Sequence, residues 1–307
     1  MALRTVFYKI KPLMPRLLQI FIRRQLVIKK LSACNEFWPI DENAGIAPLE
    51  WRMWPQGKKF ALVLTHDVEK EIGQDRSFQL AEIEQKIGFV SSFNFVPQRY
   101  KVSSVLRNRL ISRGFEVGVH DLNHDGKLFS SYSMFRTRSL LINKYLQEWG
   151  AVGFRAASMH HNLNWIGELN IEYDCSTFDT DPFEPQSEGV GTIFPFWVNL
   201  KKGESGFVEL PYTLPQDFTL FVLMKHESID IWKKKLEWIV AKGGMALINV
   251  HPDYINFENH PNGNEEYPID FYKDFLIHIE KTYPNQYCNI LPRELSRFIK
   301  GNHCRKN

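Results

Sequence analysis

The sequence predicts an α/β fold, and three observations carry that prediction. Short, continuously apolar runs recur along the chain, as strands buried on both faces of a parallel sheet require. Stretches with helical spacing separate them. Reactive-looking polar residues follow four of the runs: Asp67, His120, Arg155 and His251. In a (β/α) barrel such positions form the C-terminal rim, where side chains from different strands converge. A single barrel domain is therefore expected.

The 307-residue chain opens with a basic segment. Residues 1–35 hold Arg4, Lys9, Lys11, Arg16, Arg23, Arg24, Lys29 and Lys30, and no acid precedes Glu36. That leaves 30 of the 38 Lys and Arg against 35 acids in the remainder, a net charge of −5. A mildly acidic body argues against nucleic acid as a partner. From Met14 onward, Leu17, Leu18, Phe21 and Ile28 fall near one helical face, with Arg23, Arg24 and Lys29 interspersed. Such a helix either packs on the outside of the main domain or rests on anionic lipid, so peripheral membrane contact through residues 1–31 stays open. The longest apolar runs there are no longer than Ile20-Phe21-Ile22, far from the roughly 20 residues a spanning helix needs. No signal-peptide pattern is present. The expected location is cytoplasmic, or membrane-associated at the inner face.

Residues 35–58, with Trp38-Pro39, Trp51 and Trp54-Pro55, read as an ordered lead-in. The chain thus divides into a basic helical extension and lead-in over 1–58 and a barrel domain over 59–300. Within the domain, Phe60–Leu64 is an apolar strand and Phe78–Ile87 has helical spacing. Phe89–Val96 reads as strand, Val105–Ser112 as helix and Phe115–Val119 as strand. A long helical pattern spans Tyr132–Trp149 and stops at Gly150. Short strands follow at Val152–Phe154 and Ile171–Asp174. Thr192–Leu200 and Phe207–Leu214 suggest a hairpin around Lys202-Gly203. Ile229–Ala241 is an amphipathic helix ended by Gly243-Gly244, and Met245–Val250 is an apolar strand. Ile269–Tyr283 reads as helix, Tyr287–Leu291 as a last strand and Pro292–Ile299 as a closing helix with Pro in its first turn. With 44% hydrophobic residues, 23 Phe and 8 Trp, a sizeable core needs no staples. The four cysteines are scattered, which speaks against a disulfide framework or a thiolate zinc site.

Two stretches carry the chemistry. Gly118-Val119-His120-Asp121-Leu122-Asn123-His124 places two imidazoles four residues apart. They can face one point if the segment makes a helical turn. Thr65-His66-Asp67-Val68-Glu69 supplies two carboxylates from an earlier strand. Three N/O ligands with an open position build a catalytic zinc site, whereas structural zinc is closed by four. A metal-dependent hydrolase is the reading.

These residues together resemble the polysaccharide deacetylases of the NodB-type chitooligosaccharide deacetylase superfamily, over roughly Phe60 to Ile299. The resemblance implies a distorted, incomplete, seven-stranded (β/α) barrel. Asp67-Val68-Glu69 looks like the family's first motif, with Asp67 as general base and Glu69 as metal ligand, although Glu replaces the commoner Asp. His120 and His124 match the His-x-x-x-His ligand pair, and Phe154-Arg155-Ala156-Ala157 resembles the motif whose Arg orients the base. The family's fourth motif contributes an Asp that tunes the catalytic histidine. Asp174, Asp179 and Asp181 lie in that region, with Asp179 and Asp181 the candidates carried forward. Ile248-Asn249-Val250-His251 matches the strand ending in the acid, His251. By resemblance the cofactor is a divalent metal, zinc first, and the substrate an acetylated sugar or polysaccharide precursor.

Other residues have plainer readings. His66 fits a buried, hydrogen-bonded histidine. Trp165, Phe183, Phe196 and Trp197 are candidates for stacking on a pyranose ring. Hydrolysis of a small cyclic amide on the same site, and a silent carbohydrate-binding protein, are the alternatives.

Overall fold

The computed structural model describes residues 14–34, 37–49, 51, 53–186, 188–200, 206–258 and 260–304. Helix α1 covers Arg16–Cys34. Strand β1, Phe60–Val68, is buried along its whole length. Helix α2 spans Glu71–Ile87, strand β2 Ser92–Phe95, helix α3 Ser104–Ser112 and strand β3 Glu116–His120. Helix α4, Tyr132–Trp149, begins where the Ser131 side chain accepts from Met134 N–H and ends at Gly150 with φ 62°. The left-handed conformation at that position suits a residue without Cβ. Strand β4 is Gly153–Arg155, short helix α5 Leu163–Ile166, and strands β5, β6 and β7 are Tyr173–Asp174, Phe196–Val198 and Phe207–Glu209. A single π-helical turn, Phe218–Leu223, follows. Then come α6 (Asp230–Lys242), β8 (Met245–Val250), the short pair β9 (Ile255–Asn256) and β10 (Tyr267–Pro268), α7 (Ile269–Thr282), β11 (Tyr287–Asn289) and α8 (Pro292–Cys304).

Nine strands form one sheet in the order β11-β1-β2-β3-β4-β5-β7-β6, with β8 also paired to β1. Seven of them, from β8 through β1 to β5 and β7, run parallel and make the incomplete barrel expected from the sequence. The other two lie at the margins. Strand β11 pairs with the first three residues of β1, and β6 runs antiparallel to β7. The β6–β7 pairing matches the expected hairpin, whose Lys202-Gly203 turn lies outside the described residues. No ladder joins β7 to β8 among the described residues; instead Thr213 and Leu214 N–H donate to Leu247 O at 3.0 and 3.1 Å. The barrel is closed there by these two backbone bonds and by the Thr213 hydroxyl, which donates to Met245 O and accepts from Leu247 N–H, rather than by a strand pair.

Strands β1 and β8 pair over six residues, Ala61↔Met245 to His66↔Val250, and both are fully buried. Each buried Val, Leu, Ile or Phe side chain contributes about 1.5–3 kcal/mol, so this pair anchors the core. The lead-in packs on the same body: Trp54 Nε1 donates to Gly243 O at 2.8 Å, and Trp38 meets Phe183 edge-on. The C-terminal ends of the seven parallel strands point to one rim. That rim holds the polar residues singled out by sequence.

Candidate metal centre and active site

Asp67 lies inside β1, and neighbours hold its carboxylate by three bonds that leave Oδ2 one accepting position. Oδ1 accepts from Arg155 Nη1 and Asn94 Nδ2, both at 3.1 Å, and Oδ2 accepts from Asn249 Nδ2 at 2.9 Å. Burial alone would raise this carboxyl's pKa, but Arg155, His120, His251 and the Asn94 bond together hold it well below the usual range. Arg155 ends β4 and is itself wholly buried. Its Nη1 also donates to Thr65 Oγ1 at 2.9 Å and Asn249 Oδ1 at 2.7 Å, and Nε donates to Cys175 O at 2.9 Å. Strands β1 and β8 and the turn after β5 therefore fix the guanidinium before any substrate arrives.

Glu69 sits just past β1. Its N–H donates to Asp253 Oδ2 at 2.9 Å and its Oε2 accepts from Tyr254 O–H at 2.8 Å. Oε1 faces His124 Nε2 at 3.1 Å. Burial opposes its ionised form, yet His124, His251 and Arg99 hold its pKa well below the usual range.

His120 closes β3, and its Nδ1–H donates to Arg155 O at 3.0 Å. That bond leaves Nε2 as the acceptor atom, 3.8 Å from Asp67 Oδ2. Burial and the neighbouring His124 lower its pKa to about 4 despite Asp67, so the ring is neutral. The segment from His120 to His124 is not the helical turn expected. Asp121 and His124 instead adopt left-handed φ values of 54° and 55°. Such conformations cost about 1–3 kcal/mol in a residue with a Cβ and cluster at functional sites. Arg99 Nη1 lies 2.7 Å from His124 Nδ1, which must accept because a guanidinium only donates. His124 Nε2 is buried and lacks a hydrogen bond of good geometry.

Donor atoms of Glu69, His120 and His124 all lie within 4.8 Å of one another. A neutral imidazole, a second buried ring nitrogen without a hydrogen bond, and an ionised carboxylate form a two-nitrogen, one-oxygen donor set. That set fits the three-ligand catalytic type of zinc site. Asp67 stands beside it but spends its oxygens on Arg155, Asn94 and Asn249.

His251 follows β8, and sequence reasoning missed its partner. His251 Nδ1 lies 2.7 Å from Asp217 Oδ1, and His251 N–H donates to Asp217 Oδ2 at 2.8 Å. Tyr267 O–H and Phe218 N–H also donate to Asp217, each at 2.8 Å. Burial disfavours the imidazolium, but Asp217, helped by Glu69 and Asp67, raises its pKa to about 10. The expected candidates are engaged elsewhere. Asp179 pairs with Lys235 at 2.5 Å, Asp181 accepts from Tyr212 O–H at 2.8 Å, and Asp174 accepts from Ser176 Oγ at 2.7 Å. Leu214 is bonded to Leu247 across the barrel gap, and the chain beyond it brings Asp217, at the start of the π-helical turn, beside the end of β8. Asp217 stands three residues past the apolar run that ends at Leu214, with Pro215 and Gln216 between, so the rule that picked out His251 did not mark it. Asn94 and Asn249 were missed because an amide inside a strand carries no sequence signal of its own.

A cavity of about 380 Å³ opens on these groups, lined by Asp67, Glu69, His120, His124 and His251 together with Arg16, Gln19 and Arg23 of α1. Its aromatic lining is Phe218 and Tyr254. The expected stacking rings lie elsewhere: Trp165 stacks on Phe129, and Phe183 meets Trp38. His66 is buried between Val250 O at 3.0 Å and Glu84 Oε1 at 2.8 Å, the plain reading given to it.

Comparison with protein-family models finds no match, and neither does comparison with curated proteins. Solved structures do match. A probable polysaccharide deacetylase from Pseudomonas aeruginosa PAO1 superposes with a TM-score of 0.63 at 13% identity, covering 80% of this chain and 92% of that one. Puue allantoinase superposes at 0.64 with 15% identity, covering 85% and 96%. This chain has the polysaccharide deacetylase fold. Within that fold Asp67, Glu69, His120, His124 and His251 line one cavity, and Arg155 lies buried behind Asp67.

Proposed function

We propose that this chain is a divalent-metal hydrolase that removes an acetyl group, from nitrogen in preference to oxygen, on a sugar of a glycan precursor. The supporting observation is one of placement. The donor set of Glu69, His120 and His124 spans 4.8 Å beside an ionised Asp67 and a protonated His251 on the same cavity. Glu69, His120 and His124 would hold the ion, with zinc suited to such a set. When bound, the ion supplies Lewis acidity to an acyl carbonyl and makes water acidic enough to act at neutral pH.

The remaining steps belong to the chain's own groups. Asp67, kept anionic by Arg155, takes a proton from the attacking water. Arg155 and Asn249 hold that carboxylate in place, so little reorganisation accompanies the transfer. His251, kept as an imidazolium by Asp217, gives its proton to the departing amine, which leaves poorly without one. Base and acid thus differ in charge before substrate enters, because one carboxylate faces an Arg and one imidazole faces an Asp.

A second reading, hydrolysis of a small cyclic amide, is favoured by one feature. Arg16, Gln19 and Arg23 wall one side of the cavity, which bounds the length of whatever occupies it.

Metal analysis together with product analysis tests both. Purified protein should carry one divalent ion per chain, His120→Ala should lose it, and Asp67→Asn should keep it. Acetate release from N-acetylated amino sugars should then fall at least about 10²-fold in Asp67→Asn. Turnover of a cyclic amide without acetate from any acetylated sugar would select the second reading. A metal-free protein that binds glycans unchanged after His120→Ala would make it a silent binding module.

A further inference from the structure

Helix α1 has two apolar sides. Inward, Ile20, Val27 and Cys34 are buried against the body. Around them the helix is pinned by polar bonds. Arg16 makes a bidentate pair with Glu265, at 2.6 and 2.9 Å among its contacts, and Arg24 donates to Val222 O and Asn264 O at 3.1 Å. Arg23 lies 4.7 Å over the Phe218 ring. Outward, Leu17, Leu18, Phe21, Leu26 and Ile28 remain 46–63% exposed. Leu17, Phe21 and Ile28, at i, i+4 and i+11, form one stripe, with Leu18 beside it. Scattered exposed apolar residues need no explanation, but a stripe of large ones on a single helix marks an interaction surface.

Charge identifies the occupant. The stripe is flanked by exposed Lys29, and the first 35 residues carry eight bases and no acid while the rest of the chain is net negative. A second copy of this chain would bring the same positive charge to the stripe and repel it. An anionic bilayer supplies both an apolar layer for Leu and Phe and negative headgroups for Lys and Arg. Among the described residues no helix is long and apolar enough to cross a membrane, so the contact is in the plane of the surface.

We propose that α1 docks this protein on anionic membrane surfaces through Leu17, Leu18, Phe21 and Ile28, with Lys29 against the headgroups. The opposite side of the same helix contributes Arg16, Gln19 and Arg23 to the cavity. Docking therefore holds the cavity wall about one helix diameter, roughly 10–12 Å, from the headgroups. Substrates anchored in the bilayer come within reach; that consequence rests on the proposed hydrolase, whereas the docking itself does not.

Sedimentation of the full chain with phosphatidylcholine vesicles, with and without phosphatidylglycerol, tests the docking without substrate or metal. The wild type should partition onto the anionic vesicles only, and less so as salt rises. The triple variant Leu17→Ser/Phe21→Ser/Ile28→Ser should lose at least about tenfold in partitioning, and Lys29→Gln about fivefold. Both change outward side chains, so near-UV circular dichroism and the thermal midpoint should stay at wild-type values and exclude misfolding as the cause. Wild-type protein that ignores anionic vesicles, or a triple variant that binds them equally well, overturns the proposal. So does a wild-type dimer that the triple variant converts to monomer without any vesicle binding, which would assign the stripe to a second copy.

Discussion

At His251 a single carboxylate sets the protonation state. Burial works against the imidazolium, and Asp217 outweighs it through charge and a 2.7 Å contact. Asn at position 217 keeps a carbonyl oxygen for the histidine but removes the charge. In Asp217→Asn the His251 pKa should fall from about 10 to or below the ordinary value of about 6.5. A general acid works only below its pKa. The alkaline limb of the kcat–pH profile should therefore move down by about three units or more, with kcat at pH 9 lower by about 10²-fold or more. An unmoved limb would remove His251 from the role of acid. His124 poses a second question of this size. Arg99 donates to Nδ1, so Nδ1 is the accepting nitrogen and a proton sits on Nε2, the atom facing Glu69. An ion bound at Nε2 needs that proton gone and Nδ1 protonated, which excludes the Arg99 contact. Arg99→Gln should therefore tighten zinc binding, by about tenfold for a lost cation near the ion, in a competition titration with a chelating indicator. Weaker binding in that variant would show that Arg99 supports the ligand rather than competing for it.

At the level of strands, the site depends on how closely β2 and β3 approach. A Cβ on Gly118 of β3 would lie 2.2 Å from Asn94 Oδ1, and Asn94 donates to Asp67. Gly118→Ala should push Asn94 off the base, cost about 1–3 kcal/mol as an overpacked core does, and lower kcat more than KM. Thermal unfolding and steady-state kinetics check both, and wild-type values of each would show that the strands have slack. Such a constraint could not be read from the sequence, where Gly118 is only a glycine in an apolar run. Elements fixed by local signals were legible: α4 runs Tyr132–Trp149 between the Ser131 cap and Gly150, as expected. Elements defined by their partners were not. The sequence reading ended β1 at Leu64, yet the strand continues to Val68, because Glu84 and Val250 O satisfy His66 while Arg155 and two amides satisfy Asp67. The reading placed the start of α2 at Phe78, seven residues late, since its first turns are polar. Asp217 escaped because it sits before a π-helical turn with no periodicity to mark it.

Over the whole molecule, charge was legible as composition but not as location. The basic front end was evident, and the two faces of α1 were separated only once Ile20 and Val27 were seen to pack inward. Buried acids distribute their effect on stability in opposite directions. Asp67 and Glu69 are held low, so their contribution is complete above about pH 5 and stays flat beyond. Glu116 is the reverse case. It begins β3, at the opposite end of the strand from His120, and accepts from Tyr173 O–H at 2.8 Å and Arg293 N–H at 3.0 Å. Burial outweighs these bonds and raises its pKa from 4.5 to about 7. The folded state thus keeps a proton that the unfolded chain has lost, so stability is greatest below about pH 4.5 and falls as pH rises toward 7. At about 1.4 kcal/mol per unit the loss approaches about 3 kcal/mol. Glu116→Gln cannot ionise. Any hydrogen-bond mismatch it introduces acts equally at every pH, so the slope isolates the titration. Urea unfolding at pH 5 and pH 8 should show the wild type losing up to about 3 kcal/mol more than the variant between the two. Equal losses would mean that Glu116 is ionised in the folded protein throughout, and that the Tyr173 and Arg293 bonds outweigh its burial.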